Sequence, residues 1–154
     1  MRQSLWVIGA TWLLLTIASC HERKVYDHYT PTPLEGWAKD DTLTFLLPKA
    51  ETEGVYGMDL KLRSNGSYPF MGITLIVEKT FFPSLFKSTD TIPCLLREEN
   101  GMPKQQGVSY YQNIFHIGEI HLNPRDSLQV TVRHDMKREL LPGIGDVGIM
   151  LTKY

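Results

Sequence analysis

From Met58 to Arg63 the chain alternates one residue at a time: Met58, Leu60 and Leu62 on one side, Asp59, Lys61 and Arg63 on the other. A period of two suits a strand with one face in a core and one in water. Wound into a helix, the same residues would scatter around the axis. The pattern returns in residues 127–134, where Leu128, Val130 and Val132 share a side. Further strand-length runs lie at residues 42–47, 55–63, 73–77, 91–96, 113–122 and 148–152, the fifth interrupted by Gly118. Ser64-Asn65-Gly66-Ser67 and Asn123-Pro124-Arg125-Asp126 punctuate them as turns. Many short strands with frequent turns imply an all-β fold, an antiparallel β-sandwich of jelly-roll or immunoglobulin-like type. Residues 55–63 and 73–77 are expected to be adjacent antiparallel strands. Residues 91–96 are expected at an edge, because Pro93 cannot donate a ladder hydrogen bond. One short helix is expected over residues 136–141, with Asp135 as its N-cap and Pro142-Gly143 as its stop.

The N-terminus has a different character. Met1 and Arg2 begin it with positive charge, residues 5–17 are apolar and uncharged, and Ala18-Ser19 are small. This is the grammar of an export signal, and the apolar run is short of the roughly 20 residues a spanning helix needs. Ile17-Ala18-Ser19-Cys20 also resembles the bacterial lipobox, in which the cysteine receives diacylglycerol and becomes the first mature residue. The alternative is an ordinary secretory signal with an incidental cysteine. Residues 1–19 are thus read as a lipoprotein signal peptide, 20–39 as a lipid-anchored tether and 40–154 as the single β-sandwich domain, with Cys20 as the lipidation site. The tether carries Pro31 and Pro33 and favours extended backbone, although from Val25 or Trp37 onward it can pack on the domain as an edge. Cys94 is the only other cysteine. In Ile92-Pro93-Cys94-Leu95-Leu96 it reads as a small buried hydrophobe, with no base at a recognisable spacing to make it a nucleophile.

Candidate chemistry elsewhere is thin. The net charge of −1, spread evenly, leaves no basic stripe for nucleic acid. Gly143-Ile144-Gly145-Asp146-Val147-Gly148 matches G-x-G-x-x-G literally, but the helix and second strand that a dinucleotide site requires do not follow. It reads instead as a turn feeding the last strand. His116 and His121 flank Glu119, and a bulge at Gly118 can bring the three together as a metal or hydrolytic set; without it His116 lies on the opposite face. His134-Asp135 reads as a solvated strand end with a helix cap. Trp37, Tyr56, Tyr68, Phe70, Phe81, Phe82, Tyr110 and Tyr111 are either core or a sugar-stacking platform. Phe81-Phe82-Pro83-Ser84-Leu85-Phe86 is unusually apolar for a connection and is the strongest candidate for a partner-binding loop.

The lipobox cysteine, Trp37, "MDLKLRSNGSYPF" from Met58, "DTIPCLL" from Asp90 and "DMKRELLPGIGDVGIML" from Asp135 together resemble the gliding-motility lipoproteins of the GldH type found in the Bacteroidota. Between Arg97 and Tyr111 this chain departs from the glycine- and tryptophan-containing loop of that family and keeps only Gly101 and Gly107. The resemblance implies a non-enzymatic envelope lipoprotein with no cofactor. Its partners would be the membrane, through lipid on Cys20, and proteins of the gliding machinery or the linked secretion apparatus. It would sit in the cell envelope, with the outer membrane expected. A glycan-binding sandwich is the alternative.

Overall fold

The computed structural model describes residues 23–105 and 107–154. In chain order the elements are β1 (Arg23–Pro31), β2 (Trp37–Ala38), β3 (Leu43–Leu47), β4 (Gly54–Ser64), β5 (Gly72–Phe82), β6 (Lys87–Leu95), β7 (Tyr111–Leu122), β8 (Ser127–His134), β9 (Leu140–Leu141) and β10 (Ile144–Lys153). The long strands form two four-stranded antiparallel sheets, ordered β1-β10-β4-β7 and β3-β8-β5-β6, while β2 and β9 pair only with each other. Leaving that short pair aside, β5 and β6 alone are consecutive strands joined within one sheet; each other connection crosses between sheets. This is the strand order of a jelly roll, two interleaved Greek keys, and it decides between the two sandwich types the sequence leaves open.

The alternating strands are central ones. β4 lies between β10 and β7, and β8 between β3 and β5. Met58, Leu60 and Leu62 of β4, with Val147, Ile149 and Leu151 of β10, meet Leu75 and Val77 of β5 and Leu128, Val130 and Val132 of β8 in one buried cluster. Each such side chain contributes about 1.5–3 kcal/mol by leaving water. β6 is an edge strand, as Pro93 requires.

Three expectations change. The strands β4 and β5 belong to different sheets. The link between them, residues 65–71, is longer than a hairpin loop and drops Tyr68 into the core, where its hydroxyl donates to the Gly72 carbonyl at 2.9 Å. No helix exists among the described residues. Residues 136–141 are too few to nucleate one unaided, and their backbone is used otherwise. The Asp135 amide donates to the Thr74 carbonyl, and Leu140-Leu141 pair with Trp37-Ala38. Finally, residues 23–31 are strand β1 on β10, so the domain begins well before residue 40 and the edge alternative for the tether is the one adopted.

Candidate functional site

Cys20 lies outside the described residues. Cys94 is buried, and burial pushes its thiol up to about 12, which keeps it protonated and unreactive. Gly118 does bulge β7, at a φ of 126°, and the register then puts His116 opposite Asp59, Glu119 opposite Gly57 and His121 opposite Val55, all on the solvent face. Sharing a face is not converging. His116 Nδ1 is 2.9 Å from Asp59, His121 is 3.6 Å from Glu53, and no group of three metal-ligating side chains occurs among the described residues.

His134 is fully buried rather than solvated. Its Nε2 lies 3.2 Å from the Trp37 carbonyl, its Nδ1 accepts from the Met136 amide at 3.4 Å, and its ring stands edge-on to Trp37 at 5.3 Å. Those contacts suit the neutral ring with hydrogen on Nε2, and burial holds its pKa below the ordinary imidazole value. The residue is a structural clasp, not a catalytic base.

Of the aromatic candidates, Trp37, Tyr56 and Tyr68 are core, Phe70, Phe81, Phe82 and Tyr111 are partly covered, and only Tyr110 is exposed. They form no exposed row. The glycines of the G-x-G-x-x-G match have structural work instead. Gly143 has a φ of 79°, and a Cβ there would run into the Tyr68 amide. Gly148 lies against the Tyr29 ring and the His28 carbonyl, too close to admit a side chain, while Gly145 lies under the exposed Tyr110 ring, which has room to swing aside. Tyr29 belongs to a cluster on the outer face of the first sheet that the sequence did not disclose. Lys61 Nζ and the Arg63 guanidinium lie 4.3 and 3.9 Å from its ring centre. Asp27 bridges Lys61 at 2.5 Å and Lys24 at 2.9 Å. Burial alone would resist ionising Asp27, but hydrogen bonds from these two lysines outweigh it and hold the carboxyl below its usual range. The charged members of the cluster are paired with one another while the buried Tyr29 hydroxyl has no hydrogen-bond partner, and the cluster fastens β1 to β4 across β10.

The two ends of the sandwich remain. At one end the chain enters at Arg23, and residues 48–53, 83–86 and 123–126 connect strands. The first and last of these are laced together: the Ala50 amide donates to Asp126 and the Arg125 amide to Ala50. A cavity of about 200 Å³ opens here, lined by Arg23, Lys24, Lys49 and Lys153 with Glu51. Lys49 also borders a second hollow, with Pro83, Leu85 and Arg125, so cations and the apolar hairpin form one continuous surface. Leu85 and Phe86 are 65% and 63% exposed. Their backbone is nonetheless fixed, with the Leu85 amide donating to Phe81 and the Phe81 amide to Phe86.

At the opposite end the connections are longer, and Leu34, Met71, Met102, Val108, Tyr110 and Leu140 are exposed on them. Leu34 is 99% exposed, and Leu140 lies against Gly36 in the same loop. Arg97 ties residues 96–110 to the β4–β5 link, donating to the Tyr68 carbonyl at 2.7 Å and the Gly101 carbonyl at 3.1 Å.

The profile of the GldH lipoprotein family matches residues 24–151, from the second residue of β1 into β10. The chain belongs to the GldH lipoprotein family. The gliding motility lipoprotein GldH of Flavobacterium johnsoniae is 28% identical over 150 residues, covering 90% of this chain and 91% of its own. The GldH homolog of Christiangramia forsetii is 23% identical over 164 residues, covering 99% of this chain and 98% of its own. Among solved structures, a family GH115 4-O-methyl-α-glucuronidase superposes with a TM-score of 0.47 at 16% identity, over 88% of this chain and 18% of the other. That overlay is too loose to bear on function. The GldH match spans both ends of the sandwich and every strand.

Proposed function

We propose that this GldH-family protein is a lipid-anchored component of the bacterial cell envelope, held by acyl chains on Cys20. It acts without catalysis, through protein contacts in the gliding machinery or the linked secretion apparatus. The observation that carries the contact role is the gathering of Leu34, Met71, Met102, Val108, Tyr110 and Leu140 at the end of the sandwich remote from Arg23. Exposed apolar side chains grouped on connections that a rigid scaffold positions are the usual composition of a docking surface. The candidate histidines His116, His121 and His134 favour this reading too, since each has a partner of its own and the three do not converge. The outer membrane is the proposed location.

Crosslinking in the native envelope followed by mass spectrometry tests the role. Envelope proteins of the machinery are expected to be captured by the wild type and lost in a folded Leu34→Asp/Leu140→Asp double variant. A clean monomer after crosslinking of the wild type would overturn it. Metabolic labelling with a fatty-acid analogue tests the anchor. Label is expected on the wild type and absent from Cys20→Ala, and retained label in that variant would sink the assignment.

A further inference from the structure

Three peptide steps separate Cys20 from Arg23, the first residue of β1. At full extension they span only about 10 Å. If Cys20 carries the anchor, β1 starts almost at the headgroups, and the end of the sandwich that contains Arg23 cannot be far from the bilayer. That end is the one with the apolar hairpin tip and the cationic rim. Among the described residues Arg23, Lys49 and Arg125 make no ion pair, and Lys153 is bonded to the Thr52 hydroxyl rather than to a carboxylate. The opposing charges are Glu51 on the cavity rim, Glu53 beside His121, Asp126 in the hollow with Leu85 and Arg125, and Glu119 in the hollow beside Phe86.

We propose that this end of the sandwich is a membrane seat. Leu85 and Phe86 enter the headgroup–acyl boundary of an anionic bilayer, and Arg23, Lys49, Arg125 and Lys153 rest against lipid phosphates. The inference rests on the acylation of Cys20 and goes beyond it, because a lipid anchor alone fixes how near the Arg23 end lies but not which of its side chains meet the bilayer. Two features select a lipid surface as the occupant. The tether is too short to leave room for a protein beneath the domain. The patch also combines an apolar tip with flanking cations, the composition by which peripheral segments sit at an interface, with apolar side chains sunk about 5–10 Å and basic ones at the phosphates. Long lysine and arginine stems on the rim can reach those phosphates from either side of the hairpin. The hairpin is built to present its tip. Its amides bond within the turn, and the Phe81 and Phe86 rings brace it at 5.8 Å. Seated this way, the protein turns its opposite, apolar end away from the membrane and toward partners.

The test uses the full acylated protein reconstituted into vesicles of phosphatidylethanolamine with phosphatidylglycerol, some carrying lipid brominated along the acyl chain. Tryptophan emission is compared between Phe86→Trp, at the seat, and Leu34→Trp, at the far end; buried Trp37 gives both the same background. The expected result is quenching at least about twofold greater in Phe86→Trp, consistent with a tip in the acyl boundary. Leu85→Trp should behave like Phe86→Trp. Adding Lys49→Glu and Arg125→Glu should return the signal to the Leu34→Trp level. Equal quenching at the two ends overturns the seat. Flotation with the vesicles and fatty-acid label on the same sample separate the two ideas. A labelled, floating protein with equal quenching removes the seat and leaves the anchor. An unlabelled protein that does not float removes the anchor, and the seat with it.

Discussion

The two ends of the sandwich are closed by the same strands and yet differ in the length of their connections and in what is added to the backbone bonds between them. At the Arg23 end the connections are short and bonded to one another, so that residues 48–53 and 123–126 share amide–carbonyl pairs and the 83–86 tip is held by its own turn. At the far end residues 65–71, 96–110 and 135–143 run longer. They too share backbone bonds, from the Asn65 amide to Gly143 and from the Leu96 and Arg97 amides to Met71, and buried side chains reach up between them as well. Trp37 of β2 meets the His134 ring edge-on, and Arg97 bonds two loops at once. Backbone bonding fixes a small surface of set shape, which suits contact with a flat bilayer. Side-chain clasps added to backbone bonds hold longer connections still, which suits contact with proteins.

This contrast can be broken by mutation, most sharply at the far end. Trp37→Ala should cost about 3–5 kcal/mol of unfolding free energy, measured by urea denaturation, because it empties the space between β2, β9 and His134. A cost under about 1 kcal/mol would mean that the clasp does not hold that end. Gly143→Ala should cost about 1–3 kcal/mol, since its φ of 79° is coupled to contact with the Tyr68 backbone. Gly118→Ala should cost less, because its φ is positive but the space beside it is open; the two thermal midpoints compared in parallel check this. A smaller effect is expected from pH. His134 is held neutral below its ordinary pKa, so below about pH 6.5 the unfolded chain takes up a proton that the folded one refuses. Stability should therefore fall as pH drops from about 6.5 toward the depressed folded value, and His134→Gln should flatten that slope in urea midpoints. The smallest effect belongs to the Arg23 end, where Phe86→Ser should change stability by less than about 0.5 kcal/mol while abolishing quenching by brominated lipid in a Leu85→Trp reporter. A large stability loss there would show the hairpin to be core rather than seat.

Much of the sandwich was legible because central strands advertise themselves. β4 and β8 each have one face in the core and one outside, and the residues alternate accordingly. The edge at β6 was legible from Pro93, and the turn before β10 from Gly143. β1 was not. Its burial follows no clean alternation, and a register shift between Lys24 and Tyr26 breaks its phase. Threonines and prolines that suggested a tether are compatible with an edge strand whose only partner is β10. His134 was misread for a related reason. Its neighbours Arg133 and Asp135 are polar, and nothing local reveals that Trp37, 97 residues earlier, covers it. The Tyr29 cluster is equally invisible locally, because β1 meets β4 only across β10.

The chain by itself determined where most of the long strands lie, which face of the central ones is apolar, where several turns fall and which cysteine bears the mark of a lipobox. These follow from short-range rules, namely side-chain period, ring-locked proline and permissive glycine. Which sheet each strand joined was decided only by the tertiary structure. The 65–71 and 123–126 connections carry turn residues in either case, and nothing in them says whether the next strand pairs alongside or crosses over. Two apolar faces must cover each other for either to be buried, and that requirement sends β5 opposite β4 instead of beside it. The same crossing collects Arg23, Lys49, Leu85 and Arg125, far apart in sequence, onto one end of the molecule.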